Sequence, residues 1–64
     1  MKYFIETSEN SGISLVCDYT ISKHDIYVNP LSEWGVIFYI FNGKKQHTTF
    51  LYENFDNIRI IKES

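Results

Sequence analysis

The sequence predicts an all-β fold, a small antiparallel meander of five to six strands forming either a strongly bent sheet or an SH3-like or OB-like barrel. Three observations carry that expectation. Nine Ile, five Phe, five Tyr and Trp34 stand against three Leu and no Ala. β-Branched and aromatic side chains suit a pleated, half-buried surface, whereas Ala and Leu are among the best helix formers. Apolar and polar residues alternate from Ile13 to Ser22 with the period of a strand. Finally, Asn42-Gly43 follows directly on an apolar run, the strongest short-range hairpin signal, because a type I′ turn needs positive φ at both central residues.

Lys2 to Thr7 forms the first expected strand, with Tyr3 and Ile5 on one face and Phe4 on the other, and the polar run Ser8-Glu9-Asn10-Ser11-Gly12 is a turn. Along the second strand, Ile13, Leu15, Cys17, Tyr19 and Ile21 point inward while Ser14, Val16, Asp18, Thr20 and Ser22 point outward. Asp25 to Asn29 is a short third strand, stopped by Pro30, which lacks the amide donor that a central ladder needs. A loop spans Asn29 to Glu33. Trp34 to Phe41 is apolar at every position except the small Gly35, so both its faces need cover and it is expected at the centre of the structure. A fifth strand returns from Lys44 to about Tyr52. A two-residue loop sets Phe41 opposite Lys44, Phe38 opposite His47 and Val36 opposite Thr49, and a bulged loop slips that register by one residue. At most one short 3-10 turn is expected near 53–56, before a last strand over Asn57 to Lys62 with Ile58 and Ile60 on one face. Ile13, Leu15, Tyr19, Val36, Phe38 and Ile40 are the expected buried residues, and Trp34 and Tyr39 are assigned to the core.

Residues 1–64 make one domain, because a chain this short has too much surface for its volume to support two cores. Cys17 is the only cysteine, so no internal disulfide reinforces that core, and one cysteine with two histidines makes a poor structural zinc site. The second face of Trp34–Phe41 is covered either by the sheet curling over itself or by a second copy of the chain, with a homodimer the simplest closed form. Tyr39 and Phe41 are chosen for that contact.

The net charge is −2. Residues 1–33 carry two Lys against five acids, a balance of −3, and residues 34–64 carry four cations against three acids. That is no stripe for a polyelectrolyte, so general nucleic-acid binding is disfavoured. Met1 to Ile5 meets Glu6 before a signal-peptide apolar region develops, and no apolar run approaches the roughly eighteen residues of a membrane span. A cytoplasmic, soluble protein is expected. The abundance of Ile, Asn, Lys, Tyr and Phe points to a low-GC bacterium or its phage.

Few residues suggest catalysis. His24-Asp25 is the most reactive-looking pair, since a carboxylate can orient an imidazole, yet adjacent strand residues face opposite sides. Cys17 sits on an apolar face, where free cysteine behaves as a small hydrophobe. The spacings of Cys17, His24 and His47 match no metal-ligand pattern, and Gly12, Gly35 and Gly43 are too isolated to cradle a phosphate or cofactor. The sequence therefore predicts a non-catalytic protein without cofactor or metal, acting by stoichiometric protein binding as a regulator, inhibitor or assembly module. Tyr27, Tyr39, Phe41 and Tyr52 are its candidate interface residues, amphipathic or apolar rings suited to contact surfaces. The alternative is a small-barrel nucleic-acid module using Lys44, Lys45, Arg59 and Lys62.

Overall fold

A computed structural model describes residues 1–63. Six strands form, and the only helical pieces among the described residues are two single 3-10 turns. Strands β1 (Lys2–Ser8), β2 (Ser11–Val16) and β6 (Arg59–Lys62) make one antiparallel sheet in the order β2-β1-β6. Strands β3 (Ile26–Val28), β4 (Trp34–Phe41) and β5 (Lys44–Leu51) make the other, with β4 central. The all-β expectation holds, and of its two forms the bent one is found, since neither three-stranded sheet closes into a barrel. The 3-10 turn expected near 53–56 forms at Phe55–Asn57, where the Asn54 side chain accepts from the Asp56 N–H. A second occurs at Lys23–Asp25.

Both sheets contribute to one core. Tyr3, Ile5 and Leu15 from the first meet Ile26, Ile37 and Phe50 from the second, and Cys17, Ile21 and Ile58 join them from the connections. Thr7 is the one buried polar side chain among the described residues. In β1 the inward set is Tyr3, Ile5 and Thr7, as period two requires.

The β4–β5 hairpin takes the two-residue register, pairing Phe41 with Lys44, Phe38 with His47 and Val36 with Thr49. Asn42 and Gly43 lie at φ 52° and 73°, the left-handed pair that the I′ turn demands. Asp18 fastens this turn to the other sheet. Its N–H donates to the Ile40 carbonyl at 2.8 Å, and its carboxylate accepts from the Asn42 and Gly43 N–H groups at 3.1 and 2.9 Å.

That clamp ends the alternation that began at Ile13. Beyond Val16 the chain leaves the ladder to reach the turn, so Leu15, Cys17 and Ile21 stay buried while Tyr19 swings out to 66% exposure, against its expected burial.

Strand β4 also departs from expectation. Ile37 is fully buried, whereas Phe38 is 49% and Trp34 55% exposed. Val36 and Ile40 are half-buried, as is Ile13 in β2. The inward face carries Gly35, Ile37 and Tyr39. Gly35 belongs there because the Phe50 ring, from the residue directly opposite in β5, fills its side-chain space, and a Cβ on Gly35 would approach that ring to 2.8 Å. Phe50 thus supplies the apolar mass that Gly35 lacks, and the other phase of β4 is left facing outward.

Candidate binding face

The outward phase of β4 and its neighbours builds an aromatic surface. Tyr27 of β3 lies directly opposite Val36, with Phe38 on the diagonal, and the two rings meet edge-to-face at 5.5 Å between centroids. Phe38 is also flanked by its cross-strand neighbour His47, whose ring centroid lies 6.1 Å away at a tilt of 41°. Leu51 is opposite Trp34, and both are more than half exposed. A single sheet surface therefore displays Tyr27, Trp34, Val36, Phe38 and Leu51, with Lys45 and His47 at the hairpin end.

Two depressions border this surface. The first, of about 380 Å³, lies before the start of β3 and is lined by Tyr19, Ile21, Phe38 and Ile40 together with Asp25 and Lys45. The second, of about 390 Å³, lies between Tyr27, Trp34 and Val36. The Asn29–Glu33 loop supports the Trp34 end. Asn29 Oδ1 accepts from the Leu31 N–H, and Ser32 Oγ accepts from the Trp34 N–H.

The residues singled out from sequence fall in several places. Tyr27 is on the aromatic face. Tyr39 packs against the core from the inner face, and its hydroxyl meets Thr48 Oγ1 at 3.2 Å. Phe41 closes the strand at the hairpin and is 38% exposed. Tyr52 is half-buried, its hydroxyl donating to the carbonyls of Asn29 and Ser32 at 3.0 and 3.3 Å. Lys44 and Lys45 stand at the tip of one sheet, while Arg59 and Lys62 belong to β6 of the other. Arg59 pairs with Glu6 at 3.6 Å.

Asp25 has a structural task, accepting from the Ser22 N–H at 3.0 Å, and its neighbour His24 is exposed. Cys17 is buried, its thiol donating to the Tyr19 carbonyl at 3.1 Å. Among the described residues no group of three or more His, Cys, Asp or Glu side chains is placed to hold a metal ion.

Sequence reasoning missed Trp34, Phe38 and Leu51 as surface residues. A usable signal was present in β3, where the aliphatic Ile26 and Val28 share one face and Tyr27, with its polar tip, takes the other. No helix among the described residues is long and apolar enough to cross a membrane. No protein-family model, curated protein or solved structure matches the chain.

Proposed function

We propose that this chain works without catalysis, as a stoichiometric protein-binding module, and that the outward face of the β3-β4-β5 sheet is its contact surface. The observation supporting this reading is the run of exposed rings Tyr27, Trp34 and Phe38 on one sheet face. Contiguous apolar patches on small proteins mark interaction sites, and Tyr and Trp are the residue types that dominate binding energy at such sites. The two flanking depressions suit apolar side chains of a partner, with Lys45 and Asp25 in the lining of the first to orient polar groups. Regulation or inhibition of a larger cytoplasmic machine in a low-GC bacterium or its phage is the role that a small, acidic module of this kind fits.

Protein binding is favoured over nucleic-acid binding because the aromatic face holds few cations. Only Lys45 lies on it, and base-stacking surfaces work together with a basic groove. The test is a comparison of affinity capture by the parent and by the pair Phe38→Asp with Trp34→Asp. One polypeptide retained in equimolar amount by the parent and lost from the variant supports the reading, provided both melt alike. Equal capture by parent and variant overturns it, as does submicromolar, salt-sensitive binding of single-stranded DNA that the variant abolishes.

A further inference from the structure

The outer edge of β5 poses a separate problem. Strand β5 is an edge strand of eight residues, and its stretch Gln46–Leu51 contains no Asp, Glu, Lys, Arg or Pro. Exposed edges of this length invite pairing with another chain, and proteins normally blunt them with charge, proline or a bulge. Here the register with β4 is unbroken from Trp34–Leu51 to Phe41–Lys44.

The direction of the free backbone groups follows from two hydrogen bonds. Tyr52 donates its N–H to the Glu33 carbonyl at 2.9 Å, which extends the ladder and shows that even-numbered residues of β5 bond toward β4. The Ile40 carbonyl, by contrast, points away from β5 to Asp18. Antiparallel pairs alternate, so Lys45, His47, Thr49 and Leu51 direct their N–H and C=O groups outward.

The charges at the two ends of β5 are opposite. Lys44 and Lys45 begin the strand, and Glu53 follows its end in a cleft that also holds Glu6, Glu9 and Asp56, four carboxylates against the single guanidinium of Arg59. A strand that is cationic at its start and anionic past its end is complementary to its own antiparallel copy. We infer that a second copy of this chain docks along β5, antiparallel and two-fold symmetric about Thr48, joining two three-stranded sheets into one of six strands. In that register Lys45 lies opposite Leu51 of the second copy, His47 opposite Thr49, and the Lys44-Lys45 tip beside the acidic cleft. The four outward-facing residues of each copy give about eight cross-edge hydrogen bonds. The two-fold axis runs perpendicular to the sheet, so both aromatic faces emerge on the same side and remain free. The dimer thus goes beyond the proposed binding reading, presenting that face twice.

Sedimentation equilibrium decides this, using the full chain over micromolar to millimolar concentration. The parent dimerises. Lys44→Glu with Lys45→Glu, and separately Glu53→Lys, each weaken dimerisation about tenfold or more by setting like charges together. An equimolar mixture of these two variants recovers a heterodimer, because each then offers the charge that the other lacks. Thr49→Pro, which removes an outward N–H and leaves the β4 ladder intact, is monomeric with an unchanged far-ultraviolet spectrum. Phe38→Asp with Trp34→Asp still dimerises, which separates this surface from the aromatic face. A monomeric parent overturns the inference, as does failure of the charge-swapped variants to associate on mixing. Loss of the dimer in the Phe38 and Trp34 variant alone also overturns it and assigns self-association to the aromatic face.

Discussion

Ile37 and Phe38 are adjacent on β4, yet Ile37 is sealed in the core and about half of Phe38 meets solvent. Truncating Ile37 to Ala removes buried methyl and methylene groups and leaves a cavity between the sheets, at a cost of about 2–5 kcal/mol, enough to unfold a marginal domain. Phe38→Ala removes an exposed ring with one edge-to-face partner and costs about 1 kcal/mol. Denaturant midpoints of the two variants check the contrast, and equal losses would return Phe38 to the core. The difference was illegible in sequence because β4 is apolar on both phases, so hydrophobic periodicity has no contrast to report there. Phase is fixed by packing across strands, through Phe50 over Gly35 and through Ile26 beside Ile37. Cys17 shows the opposite case, since its place on an alternating apolar face already implied the burial observed. Its thiol is expected to react with a bulky disulfide reagent only as the domain opens, so that modification slows as stability rises. A rapid, stoichiometric reaction of the native protein would contradict this.

The hairpin β4–β5 and the segment after β2 depend on one another through Asp18. Asn42-Gly43 announced the turn, and its two-residue register is the one that the I′ geometry favours. What local sequence could not show is that the outward-facing N–H groups of that turn would be satisfied by a carboxylate 24 and 25 positions earlier. In the alternating pattern Asp18 is only one more polar residue on a wet face. Its real position interrupts the strand and turns Tyr19 outward, and long-range hydrogen bonds of this kind leave no mark on periodicity. Replacing Asp18 with Ala removes two charge-assisted hydrogen bonds at a partly solvated turn and costs about 1–2 kcal/mol. Amide exchange at Asn42 and Gly43 should accelerate in the same variant while exchange at Ile5 and Ile37 follows only the global loss. Unchanged exchange at Asn42 and Gly43 would show that the turn holds without the clamp.

At the scale of the whole molecule, two three-stranded sheets share one small core, and the chain's ends are tied in by pairing of β1 with β6 across the length of the sequence. That pairing, Tyr3 with Lys62 through Glu6 with Arg59, divides the six strands between two sheets. The strands themselves were legible from composition and alternation, but a choice of partner more than fifty residues away was not, because any strand of suitable polarity satisfies the same local pattern. A core of nine buried apolar residues among the described ones, with no disulfide, leaves little margin. Anything that binds the folded state and not the unfolded chain adds to that margin by mass action. If β5 pairs with its copy, unfolding also separates two chains, and the melting temperature depends on concentration. For a dimer of 64-residue chains that exchanges directly with unfolded monomers, each tenfold increase in protein concentration raises Tm by about 5 °C. The Thr49→Pro chain, unable to pair at the edge, melts at one temperature throughout the same series. Calorimetry across a hundredfold range of concentration therefore reads the assembly through its stability, and a parent Tm that does not move with concentration means that the monomer's two sheets carry the fold alone.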